Sequence, residues 1–265
     1  MKARSARVVR AFFPPLLVFV TIVAALEIWL RWRHTPSYLF PTPSSVLLAL
    51  GERKAQLLAG LFWTSAAALS GFAASTILGI LLAICLAGSR FARRAIYPYT
   101  LFFQTVPIVA IAPLLVFWMD VGLEPVIVCA FIVSVFPVIA NTMTGLISTD
   151  PALVDLFRLY GATPIARLWK LRLPAALPSI FTGLRVAAGL SVIGTVVAEF
   201  LVGTFGEREG LGVRIMENLK YAHQDRVFAA VLLASLLGLA MFAGVNGIAY
   251  IALRRWHASE SGATA

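Results

Sequence analysis

The chain reads as an all-α integral membrane protein with six transmembrane helices and both termini in the cytoplasm. Three observations lead there. Of its 265 residues 60% are hydrophobic and 13% charged, with a mean hydropathy of +0.89, whereas a soluble domain carries about 25% charge. Apolar stretches long enough to cross a bilayer recur along its length. Its 22 basic residues, 10 in excess of the 12 acidic ones, gather between those stretches, as membrane-flanking charges do. The same clustering argues against nucleic acid as a partner.

The first span is Ala11–Leu30, apolar except for Glu27. A basic start before an apolar run also suits a cleaved signal peptide, but no small-x-small cleavage site follows, and Glu27, Trp29 and Trp32 suit an interfacial helix end. Thr42-Pro43 then pairs an N-cap with a first-turn proline, and Val46–Leu50 is apolar, so a short amphipathic helix on the outer interface is expected. Span two is Leu57–Ser89, with small residues Gly71, Ala73, Ala74, Ser75 and Gly79 for close helix approach. Span three is Ala95–Met119, bearing Pro98, Pro107 and Pro113; span four is Pro125–Thr149, with Pro137. Span five runs Ser179–Val202, with Arg185 and Glu199 near its ends and Gly183, Gly189 and Gly194 as close-approach positions. Span six is Val227–Leu253. The outer segment between spans five and six, 203–225, carries both charge signs and suits a soluble partner or a solvated face.

Orientation follows from the positive-inside rule. With the N-terminus inside, the inner pieces carry Lys2, Arg4, Arg7, Arg10, Arg90, Arg93, Arg94, Arg158, Arg167, Lys170, Arg172, Arg254 and Arg255. The outer pieces hold the smaller share. Cys85 and Cys129 fall on opposite sides of the membrane, so a disulfide between them is not expected. His34, His223 and His257 are isolated and have no metal-ligand spacing, so no metal site is assigned.

The loop between spans four and five has helical grammar twice over. Asp150-Pro151 opens a helix and Gly161 closes it, because glycine accepts the left-handed conformation at a helix end. Thr163-Pro164 opens a second helix with Ile165, Leu168 and Trp169 on one face, and Leu173-Pro174 is expected to end it. A helix–Gly–helix element that is partly apolar and basic is suited to dock on another protein.

This loop resembles the cytoplasmic loop of binding-protein-dependent ABC transporter permeases. That loop has a Glu-Ala-Ala start, Gly after three more residues, then nine residues and Ile-x-Leu-Pro. Here Asp155-Leu156-Phe157, Gly161 and Leu171-Arg172-Leu173-Pro174 keep the spacing, with Asp for Glu, Leu-Phe for Ala-Ala and Leu for Ile. Phe40-Pro-Thr-Pro-Ser44, Val106-Pro107, Ala112-Pro113-Leu114, Phe136-Pro137, Asn141-Thr142, Leu177-Pro178, Thr182-Gly183-Leu184-Arg185, Ala198-Glu199 and Gly210-Leu211-Gly212 extend the likeness from about residue 40 to the C-terminus. Together they are similar to the permeases serving nitrate, sulfonates, taurine and thiamine-precursor pyrimidines.

The resemblance implies a type I ABC importer permease fold. It further implies a second permease copy (a homodimer or a close homologue), two ATPase subunits inside and a solute-binding protein outside. It divides the chain into residues 1–56 (tail, first helix, outer interfacial helix), a five-helix permease core at 57–255 with a coupling loop at 148–178, and a tail at 256–265. Asp155, Gly161, Ala162, Ile165, Leu168, Leu171, Leu173 and Pro174 are the implied ATPase-coupling residues.

No Gly-x-x-x-x-Gly-Lys-Ser/Thr occurs and no lysine follows a glycine, so the usual phosphate cradle is missing. ATP and its magnesium are expected on a partner polypeptide, with no cofactor bound by this chain and no catalytic residue of its own. Gln104, Ser134, Ser191 and Thr195 fall near mid-depth and form the candidate solute pathway, with interhelical hydrogen bonding as the alternative for each. Glu199, about 30 Å from Ser179 along an ideal helix, completes that set at the outer mouth, where pairing with Arg208 or Arg214 is the other reading. Arg185 lies about 9 Å in and can snorkel to the inner surface.

A secondary transporter would need an ionisable group at the midplane. A membrane enzyme would need an inner cluster of Asp, Glu or His, and the inner face offers Asp150, Asp155 and Glu260 alone. With neutral pathway candidates, a pyrimidine or other small heterocycle is favoured as solute over sulfonate, taurine or nitrate.

Overall fold

The computed structural model describes residues 2–105, 107–202 and 209–254; the side chains of residues 2–12, 15, 90, 92, 97, 100, 101, 103 and 104 lie outside that description. Every regular element among the described residues is helical. The helices are α1 (Lys2–Trp32), α2 (Pro43–Glu52), α3 (Lys54–Gly88), α4 (Arg90–Thr105), α5 (Ile108–Met119), α6 (Leu123–Ile147), α7 (Pro151–Leu159), α8 (Pro164–Arg167), α9 (Leu173–Val202), α10 (Leu211–Lys220) and α11 (Gln224–Leu253). A π-helical turn, Leu168–Arg172, joins α8 to α9. Four helical stretches are long and apolar enough to cross a membrane: Lys54–Gly88, Leu123–Ile147, Pro164–Val202 and Gln224–Leu253.

Helix α6 is the hub, packed along α9 on one side and α3 on the other, with α11 covering the far side of α9. Small residues make that approach possible. A β-carbon on Gly71 of α3 would fall 2.5 Å from the Ala130 Cβ, and one on Gly183 of α9 would fall 2.7 Å from the Pro137 carbonyl oxygen. Gly145 of α6 stands against Ala176 and Ser179 in the same way. Gly189 differs from the expectation: nothing lies within 4 Å of its would-be Cβ, because its face of α9 opens onto a groove shared with α10 and α11.

These two glycines on one helix give a paired test. Gly183→Val sets a β-carbon against backbone, which cannot yield, and should cost at least the roughly 1–3 kcal/mol of ordinary overpacking. Gly189→Val should leave stability nearly unchanged. The thermal unfolding midpoints of the two variants in one detergent check this. Equal midpoints would mean that α6 and α9 are not in the contact described.

Three expectations need correction. The stretch Ala95–Met119 is not one helix but α4 and α5, separated at Pro107, whose backbone is extended (φ −68°, ψ 116°). Proline has no N–H to continue a helix, and the extended backbone of Pro107 marks the break. Pro98, Pro113, Pro137 and Pro178, by contrast, sit inside continuous helices. Leu173-Pro174 does not end the second loop helix either. The Leu173 N–H donates to the Leu168 carbonyl five residues back, and this wider turn carries the chain past Pro174 into α9. Finally, the segment after span five is not a purely solvated face. Its second half folds as α10, whose Leu211, Gly212, Val213 and Ile215 are buried against α3, α9 and α11.

Candidate functional site

The loop between α6 and α9 is built from local capping signals. The Asp150 carboxylate accepts from the Ala152 N–H at 2.8 Å and starts α7. Gly161 follows its end at φ +69°, with the Ala162 N–H donating to the Phe157 carbonyl at 2.9 Å and the Gly161 N–H to Arg158 at 2.9 Å. Thr163 then caps α8, its Oγ1 accepting from the Ala166 N–H at 3.2 Å. Cap, left-handed glycine and cap hold two helices at one fixed angle.

Of the expected coupling residues, Leu168 and Leu173 pack toward the bundle, on a cluster of Leu146, Ala176 and Ile180. Ala162, Leu171 and Pro174 are half-buried. Ile165 is 70% exposed, and Asp155 is exposed in a 3.1 Å ion pair with Arg158. The exposed apolar side chains of this loop also include Leu159, Tyr160 and Trp169, at 86%, 85% and 65% exposure. Leu159 and Tyr160 were missed as site residues in the sequence. The available signal was two large side chains immediately before a helix-closing glycine.

Ser134, Ser191 and Thr195 are completely buried, and each hydroxyl donates within its own helix, to the carbonyls of Ala130, Ala188 and Ser191 respectively. Gln104 belongs to the last turn of α4, and its side chain lies outside the described residues.

Glu199 is placed differently from the interfacial pairing with Arg208 or Arg214. Arg214 instead pairs with Glu209 at 2.6 Å and Glu217 at 3.5 Å, and Arg208 lies outside the described residues. Glu199 is 1% exposed. Its carboxyl group accepts from the Thr64 hydroxyl at 2.9 Å and from the Gly212 N–H at 2.9 Å, while the Leu211 N–H donates to the Thr64 oxygen at 2.8 Å. The first two amides of α10 are thereby satisfied by side chains from α9 and α3. Unpaired amides at a buried helix start would be costly, and their dipole favours a carboxyl group there.

Gly210 and Gly212 belong to this ring because a β-carbon on either would collide, on Gly210 with the Glu199 carboxyl group and on Gly212 with the Val196 carbonyl. A parallel arrangement stands at α2. Glu27 of α1 accepts from the Ser44 N–H at 3.0 Å and the Ser44 hydroxyl at 2.7 Å, which docks α1 on the helix start that Thr42 caps. The partners of Thr64 and Ser44 could not be read from the sequence, since they lie 135 and 17 residues away.

Residues 75–256 match the family described as binding-protein-dependent transport system inner membrane component. The chain is 34% identical over 244 residues to the formylaminopyrimidine transport permease protein ThiX of Halalkalibacterium halodurans, covering 90% of this chain and 94% of that one. It is 30% identical over 255 residues to the riboflavin transport system permease protein RibX of Chloroflexus aurantiacus, covering 93% and 92%. In fold it resembles a chain of the inward-facing MetNI methionine ABC transporter, with a TM-score of 0.62 at 17% identity over 74% of this chain and 95% of that one. The chain therefore belongs to the binding-protein-dependent transport system inner membrane component family, as a multi-pass permease subunit of an ABC importer whose ATPase is a separate subunit.

Proposed function

We propose that this permease imports a small heterocyclic solute, working as one of two identical copies with two ATPase subunits inside and a solute-binding protein outside. The observation that carries the coupling part of this reading is the apolar knob of Leu159, Tyr160, Ile165 and Trp169, held out by a doubly capped helix–Gly–helix loop. A soluble loop with that much exposed apolar surface needs a partner, and the loop keeps the spacing of the permease signature. Asp155, Gly161, Ala162, Leu168, Leu171, Leu173 and Pro174 frame the knob and set its position. ATP and magnesium belong to the ATPase. The pyrimidine and riboflavin in the names of two relatives favour a heterocycle as solute.

The same proposal takes α1 and the α4–α5 pair as the two remaining spans, which makes six with both termini inside. It keeps residues 57–255 as the permease core, with the loop at 148–178 and flanking pieces at 1–56 and 256–265. Ser134, Ser191 and Thr195 reach solute only when α6 and α9 part; Gln104 and Glu199 complete that pathway set.

The test is reconstitution in liposomes with the ATPase and the binding protein, with reporters fused after Arg255 and inserted near Glu207 to fix the topology. Uptake of labelled formylaminopyrimidine should require hydrolysable ATP and should not be displaced by taurine. The two reporters should mark opposite compartments. Uptake driven by an ion gradient without ATP would replace this reading with secondary transport.

A further inference from the structure

A cavity of about 510 Å³ lies at the loop end of the bundle, between the last turn of α3, the end of α6 and the coupling loop. Its walls are of two kinds. Ile84 and Leu146, at the ends of membrane-length helices, and Leu168 form an apolar side, and Arg158, Arg167 and Arg172 form the other. No acidic residue is among the described residues lining it. Arg158 reaches Asp155 at the exposed rim, but among the described residues neither Arg167 nor Arg172 has an ion-pair partner. Among the described residues the buried Arg167 Nε has no acceptor. A buried guanidinium donor is unfavourable unless an acceptor meets it, and an anion in the cavity would supply one.

We propose that this cavity binds an anionic phospholipid, with its phosphodiester on Arg158, Arg167 and Arg172 and its acyl chains against Ile84 and Leu168. Guanidinium groups suit phosphate because their planar fork donates two parallel hydrogen bonds. Basic pockets between the ends of membrane helices are a recognised setting for anionic headgroups. A free phosphate would use the arginines and leave the apolar wall unused, whereas a lipid uses both. An acidic segment of the ATPase would likewise leave the wall next to the bilayer empty. The assignment of the site to the inner leaflet rests on the orientation proposed above. Binding in detergent does not depend on orientation, so the two readings fail separately.

The experiment is lipid titration of the purified full-length permease in detergent, read by native mass spectrometry with dioleoyl phosphatidylglycerol and dioleoyl phosphatidylcholine. The protein should prefer the anionic lipid by about tenfold or more. The double variant R167Q/R172Q should lose about that factor for phosphatidylglycerol and none for phosphatidylcholine. Lys170→Gln, on an exposed lysine outside the cavity, should behave as wild type. Equal affinity of the wild type for both lipids overturns the proposal without recourse to any variant. So does full retention of the preference in R167Q/R172Q. Displacement of the lipid by inorganic phosphate alone would assign the site to a soluble anion, and its release when the ATPase binds would assign the arginines to that contact; either outcome removes the lipid.

Discussion

Gly161→Val should yield a permease that inserts and folds but no longer holds its ATPase. The reason is conformational. Gly161 sits at φ +69° with nothing within 4 Å of a would-be Cβ, so valine meets no neighbour. It is instead forced into the left-handed region, at a cost of about 1–2 kcal/mol for an L-residue and more for a β-branched one. The loop can relieve that strain by rotating α8 away from α7, since the caps at Asp150 and Thr163 hold each helix but not the turn between them. Little of the core is disturbed, because Gly161 is exposed.

A change of angle there moves Ile165 and Trp169 relative to Leu159 and Tyr160, which splits the knob. Co-purification of the ATPase and hydrolysis stimulated by loaded binding protein should both fall by at least about tenfold, the equivalent of about 1.4 kcal/mol. Gly161→Asn, a residue tolerated at positive φ, should retain much of both. Wild-type coupling in the valine variant would remove the loop from the transmission path.

Glu199→Ala should be the most destabilising single change outside the glycine contacts. The Gly212 N–H and the Thr64 hydroxyl would lose their acceptor in a site that water does not reach, and a void would replace the carboxyl group. Buried unsatisfied donors cost about 1–3 kcal/mol each and cavities add to that, so a loss of roughly 3–5 kcal/mol is expected. The damage should be local first. Helix α10 loses the cap that ties it to α3 and α9, so a cysteine placed on its buried face, at Val213, should become reactive to a membrane-impermeant thiol reagent. Glu199→Gln keeps the shape and one acceptor oxygen and should cost less.

Thr64→Val removes the middle of the same relay. The double variant with Glu199→Ala should therefore show clear non-additivity, as directly bonded residues do. An unchanged unfolding midpoint in Glu199→Ala, or strict additivity with Thr64→Val, would mean that the Thr64–Glu199–Gly212 ring does not hold α10 to α3 and α9.

The caps and the turn of the loop between α6 and α9 were legible because what shapes them is local. Asp150 with Pro151, Gly161, and Thr163 with Pro164 each act within three residues of their own position, and each does in the structure what its residue type does in isolation. The outer helix at Thr42-Pro43 was readable for the same reason. Prolines were less legible. Pro107 interrupts a helix while Pro137 and Pro178 do not, because the outcome depends on whether neighbouring helices hold the bent segment together. At Pro174 a π-helical turn absorbed the missing donor.

Hydropathy, charge bias and capping residues are properties of short stretches of chain. By itself the sequence therefore determined an all-helical membrane protein, the approximate positions of its four longest apolar helices and the caps and turn of its loop. The pairing of Glu199 with Thr64 and Gly212, the burial of Ser134, Ser191 and Thr195, the difference between Gly183 and Gly189, and the meeting of Arg158, Arg167 and Arg172 around one cavity were decided by tertiary structure alone. The physical reason is common to all four. A polar or small residue in a membrane helix declares only that it needs a partner or a close neighbour, and which one it meets is set by how helices distant in sequence pack side by side.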